Sequence, residues 1–493
     1  MTLTTRRLAT FIFFIGLFAM AARVAVDSDT FWHLRAGEWM LDNRRLLNFD
    51  AFSHTRAGAS WINHSWLSEI PMALVFRAFG FGGLNLATAL IVWLAFFFVY
   101  HSGEGGSYLC AFAIVLAATT SAVYWSARPQ IVSMLFTAIF GYVLRLYRWR
   151  GINHLWLLPP LMLLWVNLHG GFAIGFILLG VTFIGSAITG IAGAGTAREK
   201  HATRSHDYSA TIRLAVISLV CVAAVLVNPY GLQMLLYPFR TVSISVLQNY
   251  VQEWQSPNFH NREAQVFVVM WLATFGAVGL SRRRLDATDF LLFAVFSALA
   301  LLAGRNIAVF AVVTAPILMR HADSAIAELQ ERFPKLKIEE TTTPRRLAAL
   351  NWVLLIVVAA AALLKMALSL NPATTLEAVA RLSPAGAANY LKQNPTPGQM
   401  FNSYNFGGYL VWALRDAPVY VDGRTDLYDD EFLNEYLKAY LAEPGWEKTL
   451  AEHDIRLVVV EADSPLARTL RQTPGWAVRY SDSLAVVIVK MSQ

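Results

Sequence analysis

Apolar runs separated by short polar connections fill the first three quarters of the chain, and their lengths set the fold class. Crossing a hydrocarbon core takes about 20 apolar residues. Runs of that order occur at 8–26, 82–101, 107–124, 130–147, 154–168, 171–193, 213–228, 266–281, 287–303, 306–320 and 348–370. Eleven transmembrane helices are therefore predicted. Arg6 and Arg7 precede the first run as they would in a signal peptide, but further spans follow it, so it reads as a retained helix. Beyond residue 370 the pattern becomes that of a soluble α/β domain. SPAGAANYLKQN, DEFLNEYLKAYL and EKTLAEH read as helices. GYLVWAL, APVYVDG, DIRLVVVEA and SLAVVIVK read as strands. The predicted organisation is a membrane domain at 1–370, with a large first external loop at 27–81, and an α/β domain at 371–493.

Composition agrees with this pattern. Of 493 residues, 56% are hydrophobic and 15% charged, against about a quarter charged in a soluble chain. Cys110 and Cys221 both fall in apolar runs and read as small core residues, not as a disulfide. Basic residues set the orientation. With the N-terminus in the cytoplasm, the inner connections hold Arg145, Arg148 and Arg150; Arg198, Lys200, Arg204 and Arg213; Arg282 to Arg284; and the stretch from Arg320 to Arg346. The short outer connections hold lone arginines at Arg128 and Arg305. The first loop breaks the bias with Arg35, Arg44, Arg45, Arg56 and Arg77, but long translocated loops are weakly constrained. An odd number of spans leaves 371–493 outside. Membrane lipids are the expected surroundings, and no nucleic-acid partner is expected.

With this topology the polar motifs collect on the outer face: DSDTFWHL, WINHSWLSE, SARPQ, VNLHGG, VNPYG and AGRN. Any one of them is explained by ordinary caps and turns. Six on one side point to a single site built from several loops, since polar groups at membrane depth are costly. The first loop reads as two amphipathic helices on the membrane surface, FWHLRAGEWML and HSWLSEIPMALVFRAFG, with Trp32, Trp39, Trp61 and Trp66 as interfacial anchors.

Asp27 and Asp29 stand one residue apart where the first span ends. They read as a boundary feature, as ligands of a divalent cation (Mg, Mn or Ca) shared with His33, His64 or His169, or as a catalytic base. Two carboxylates in one site repel, and a cation or a shared proton relieves that. His64 and Glu69 are candidates to complete an acceptor or metal site. His169, between Asn167 and two glycines, suits a phosphate contact, a metal or a plain cap, and Asn167 and Asn306 carry the same ambiguity. In VDGRTDLYDDE the carboxylates Asp422, Asp426, Asp429 and Asp430 lack the spacing of a calcium loop and read as a helix N-terminus.

An acidic pair directly after the first helix, two surface helices in the first outer loop, many spans and a soluble C-terminal domain together resemble the GT-C superfamily. Its members include protein O-mannosyltransferases, lipid A aminoarabinose transferases and oligosaccharyltransferases. The strings SDTFWHLRAGEWML, FSHTRAGASWINHSWLSE, RPQ, NLHGG, FNSYNFGGYLVW and VDGRTDLY look like a bacterial family within it. The resemblance implies an inner-membrane enzyme that moves a sugar from a polyprenyl-phosphate donor to a glycan, lipid or protein acceptor on the periplasmic side, with inversion. An aspartate, Asp27 or Asp29, would activate the acceptor. Arg128 or Arg305 would hold the departing phosphate, because a guanidinium matches phosphate bidentately. Two other functions compete: a flippase or transporter for a lipid-linked glycan, and a glycan polymerase.

Overall fold

The computed structural model describes residues 3–193, 202–333 and 344–491. All eleven predicted spans are helical. The membrane part begins α1 (Thr5–Ala21), α2 (Ser28–Asn43), α3 (Trp66–Ser102), α4 (Ser107–Ser121), α5 (Gln130–Arg150), α6 (Leu158–Leu168) and α7 (Ala173–Gly193). It continues α8 (Ala202–Val225), α9 (Leu232–Val242), α10 (Ser245–Tyr250), α11 (Arg262–Leu280), α12 (Ala287–Leu302), α13 (Ile307–Arg332) and α14 (Arg345–Ser369). Among the described residues seven of these, α3, α4, α5, α7, α11, α13 and α14, are long and apolar enough to cross a membrane. Helices α6, α8 and α12 are apolar but shorter, and α1 has 17 residues. Helix α13 runs through the middle, buried without interruption from Ile307 to Met319, so its neighbours pack on every side of it. The basic connection at Arg198 and Lys200 and residues 334–343 lie outside the described residues.

Both cysteines are free and buried. Gly80 takes φ 59° and breaks α3, a left-handed conformation that glycine adopts at no steric cost. The break separates a first-loop helix, Trp66 to Phe79, from the span that follows.

The C-terminal domain contains α15 (Pro372–Leu382), α16 (Ala385–Gln393), β1 (Gln399–Asn402), α17 (Tyr404–Ala413), α18 (Asp430–Tyr440) and α19 (Trp446–Glu452). It ends with β2 (Ile455–Glu461), α20 (Pro465–Gln472), β3 (Trp476–Ser481) and β4 (Ala485–Lys490). The sheet order is β1-β2-β4-β3, with β1 parallel to β2 and β4 antiparallel to both β2 and β3. The VVV and AVVIV runs form the buried centre: Val458, Val459, Val460, Val487 and Ile488 are fully enclosed.

Two of the strand expectations fail. GYLVWA is helix α17, with Phe406 through Val411 buried; an apolar run buried all round has no periodicity to separate helix from strand. VYV joins no sheet strand, because its backbone pairs with the first loop: the Val419 N–H donates to Phe52 O at 3.0 Å, and Val419 O accepts from His54 N at 3.0 Å. The strand β3 (WAVRYS) was not anticipated, because it alternates weakly and half its residues are exposed.

Helix α2 is also placed differently from the surface helix expected. Phe31, Trp32, Leu34 and Ala36 are buried; α2 packs between α3 and α17, and Phe31, Trp32 and Ala36 join an apolar cluster that includes residues of the C-terminal domain. Trp32 and Trp61 are core residues, 4% and 2% exposed, and not interfacial anchors. Arg424, wholly buried, fastens the two parts together. It pairs with Asp50 of the first loop at 2.7 Å and with its neighbour Asp422 at 2.6 Å, and its guanidinium lies over the rings of Phe52 and Trp61.

Candidate active site

The chain leaves α1 in extended form and turns into α2 at Asp27. This residue is the N-cap: its Oδ1 accepts from the N–H groups of Asp29 (3.0 Å) and Thr30 (3.1 Å), while Thr30 Oγ1 accepts from Asp27 N. Such a capping box satisfies donors a helix start leaves open, so half of Asp27 is structural. Its other oxygen meets Arg128 Nε at 2.8 Å. Asp29, in the first turn, meets Arg128 Nη1 at 2.6 Å. Arg128 Nη2 reaches Glu253 at 3.0 Å. One guanidinium thus holds three carboxylates drawn from two distant parts of the chain. The Ala127 N–H donates to Ala25 O at 2.7 Å, which locks the Arg128 segment to the one preceding Asp27.

The cluster stands on the wall of a cavity of about 770 Å³ between the bundle and the C-terminal domain, lined also by His33, His64, His169, Tyr237, Arg305 and Asp426. A second cavity, about 560 Å³, lies on the other side of Arg128 and is lined by Arg23, Tyr124, Gln255, Asn258 and Asn261. Asp27, Arg128, Gln130, Gln252 and Glu253 border both, so they form the partition. The cavity beside Asp29 has Ile174, Ile177 and Leu299 along one side.

Charges are tuned by this burial. Burial pushes the Asp29 carboxyl up to about 6; Arg128 opposes the rise and Asp27 and Glu253 add to it. Burial works against the Arg128 charge, yet Asp27, Glu253 and Asp29 together raise its pKa above the ordinary value. Burial alone would raise Glu253, but Arg305 and then Arg128 outweigh it and hold the carboxylate below its usual range. Arg305 forms a looser pair, 3.5 Å from Glu253, with its guanidinium 4.2 Å from the Trp254 ring. Among the described residues it makes no closer polar contact, so most of its donors are unspent.

His169 is more defined than its sequence context suggested. Trp165 Nε1 donates to Ser133 Oγ at 2.8 Å, so the Ser133 hydrogen goes to His169 Nδ1, 2.7 Å away. The Gly171 N–H donates to the same Nδ1 at 3.0 Å. Burial, reinforced by His64, Arg305 and Arg128, lowers its pKa well below the usual histidine value. The neutral ring therefore carries its proton on Nε2, as an N–H donor. Beside it, the Tyr237 hydroxyl bridges His64 Nδ1 at 2.7 Å and Asp426 at 3.3 Å. Burial lowers the His64 pKa and raises that of Tyr237 well above its usual value.

Asp27, Asp29, His33, His64, Arg128, His169 and Arg305 are brought to one cavity, and Asn306 lines it as well. Glu69 and Asn167 lie behind it. Glu69 accepts from Asn63 at 2.6 Å and pairs with His33 Nδ1 at 2.8 Å. Asn167 accepts from Trp66 and Asn228. Glu253, Tyr237 and Asp426 were not anticipated. Asp429 does cap α18, as the acidic run suggested, by accepting from Phe432 N, but Asp426, three residues earlier, faces the cavity. The carboxylates do not fit a metal ion as arranged, because a guanidinium occupies the space they share. Among the described residues no group of three or more histidine, cysteine or carboxylate side chains is arranged to hold one with its present neighbours.

No protein-family model and no curated protein matches this sequence. Solved structures do. An archaeal oligosaccharyltransferase, AglB from Archaeoglobus fulgidus in complex with an inhibitory peptide and a dolichol-phosphate, matches 92% of this chain and 69% of its own (13% identity, TM-score 0.57). ArnT from Cupriavidus metallidurans bound to undecaprenyl phosphate matches 98% and 97% (14% identity, TM-score 0.55). The arabinofuranosyltransferase AftD from Mycobacteria matches 100% of this chain and 42% of its own (15% identity, TM-score 0.51). At such identities the likeness is one of architecture: the chain shares the fold of these polytopic structures.

Proposed function

We propose that this protein is a membrane glycosyltransferase that takes a sugar from a polyprenyl-phosphate carrier on the outer face of a bacterial inner membrane. The observation that carries the reading is the convergence, in one cavity with an apolar side, of a carboxylate shifted to about 6, an under-used arginine and a histidine N–H. The solved structures of this fold that hold dolichol-phosphate or undecaprenyl phosphate support the choice of donor.

Asp29 accepts the proton of the acceptor hydroxyl as its oxygen attacks the anomeric carbon. The bond from that carbon to the phosphate oxygen breaks, and the phosphate leaves with the electron pair. Arg305 and the His169 Nε2–H stabilise the charge that develops there, a large term in a partly dehydrated site. Attack opposite the leaving group gives inversion. Asp27 caps α2 and Arg128 fixes both aspartates, so Arg305 is the better phosphate ligand of the two arginines. The polar groups that line the cavity lie at one end of the bundle and not at its middle, which favours group transfer over a flippase. The N-terminus then lies in the cytoplasm and residues 371–493 in the periplasm.

The test is to supply purified protein with a polyprenyl-phosphate sugar and measure released polyprenyl phosphate. Release that persists unchanged in Asp29→Asn and Asp27→Asn would sink the base assignment. Movement of the intact lipid across liposomes without bond cleavage would favour the flippase.

A further inference from the structure

We propose that Arg128 is the permanent cation of this site, standing where a divalent metal ion would otherwise neutralise Asp27, Asp29 and Glu253. Each of its three nitrogens faces a different carboxylate, at 2.8, 2.6 and 3.0 Å. Magnesium and calcium take shells of oxygen ligands built on carboxylates, and three carboxylates aimed at one point supply the anionic part of such a shell. A guanidinium meets the same demand with a rigid planar fork. It gives up the second positive charge and gains a fixed position, because the backbone bond from Ala127 to Ala25 holds cation and anions in register. The remaining positive charge comes from Arg305, which reaches the opposite oxygen of Glu253 at 3.5 Å. The site then needs no diffusible ion, and its charge balance does not follow ion concentration.

For turnover this inference rests on the glycosyl-transfer reading; for electrostatics it does not, and the experiment separates the two. Full-length protein in detergent is stripped with EDTA, dialysed and titrated with Mn2+, with free ion followed by electron paramagnetic resonance. Wild type should show no stoichiometric site. Arg128→Ala should gain one, at least about tenfold tighter than any wild-type binding, because three carboxylates are then left to the ion. The double variant Arg128→Ala/Glu253→Gln should lose it again. Mn2+ should raise the melting temperature of Arg128→Ala but not of wild type. Arg128→Gln, which keeps bulk and polarity, serves if the alanine variant does not fold. Stoichiometric Mn2+ binding by wild type that disappears in Asp27→Asn overturns the proposal, as does an Arg128 variant that binds no more Mn2+ than wild type. Donor turnover is a separate arm: wild type should be indifferent to EDTA, and Arg128→Ala should be slow until Mn2+ is added. Absence of turnover in every sample overturns the glycosyl-transfer reading, while the Mn2+ titration still decides the role of Arg128.

Discussion

The two ends of the helical bundle carry the same local device and use it differently. At the cavity end Asp27 caps α2 and Asp29 follows in its first turn, and both grip Arg128. At the other end Asp286 caps α12 and Asp289 follows in its first turn, and both grip Arg148, at 2.6 and 3.0 Å. There the resemblance stops. Arg320 also reaches Asp286 and Asp289, and Glu104 takes up Arg283 and Arg320, so three arginines answer three carboxylates. At the cavity end two arginines answer three carboxylates, and one of them is held only loosely. Asp289 is sealed, its side chain 1% exposed, whereas that of Asp29 is 24% exposed to a cavity. An aspartate pair at a helix start is therefore no mark of chemistry by itself; the incomplete pairing and the space beside it are.

That contrast can be broken most decisively at Asp29. Asp29→Asn should lower donor turnover by about 10²- to 10⁴-fold, the usual contribution of a general base, while the purified variant melts no lower than wild type. Asp289→Asn should do the reverse. Turnover per folded molecule should hold, and stability should fall by about 3–5 kcal/mol because Arg148 and Arg320 lose a sealed partner, read as a lower melting temperature. If Asp289→Asn costs turnover and not stability, the two ends are not distinct in the way described.

A smaller effect is expected at Arg305. Loss of a charge-assisted contact to phosphate is worth about 1.5–3 kcal/mol, so Arg305→Ala should reduce donor kcat/KM by roughly 10- to 100-fold, with partial recovery in Arg305→Lys. The equivalent change at the closed end, Arg283→Ala, should leave kcat/KM unaltered. The smallest effect is on pH. A base raised to about 6 works only when deprotonated, so kcat/KM should climb as pH rises through about 6. Glu253→Gln removes one of the charges that raise Asp29, so the inflection should move to lower pH; an unmoved inflection would assign it to another group.

Much of this was legible along the chain. The eleven helices follow from run length alone, and Asp27, Asp29, Arg128, His169 and Arg305 stand out as polar groups flanking apolar runs. Glu253 does not, because its partner Arg128 is 125 residues away and nothing local marks it. Asp426 sits in an acidic run whose other members do ordinary work at a helix start, which conceals it. The burial of α2 was out of reach for a related reason: its polar face, Arg35, Glu38 and Asp42, looks destined for solvent. Glu38 is in fact almost buried and paired with Arg415 of the C-terminal domain at 2.6 Å. The LDATDF string at the other end also starts a helix with an aspartate cap, though with a single bond from Asp289 N to Asp286 in place of the capping box of DSDTF.

The buried Arg424 has a consequence for how such a protein can change over generations. Its charge is answered half by its own domain, through Asp422, and half by the first loop, through Asp50. A C-terminal domain grafted from another sequence would strand Asp50 or bring an unanswered charge into the core. Exchanging either segment alone would therefore break a buried ion pair, and the two are expected to work only when changed together.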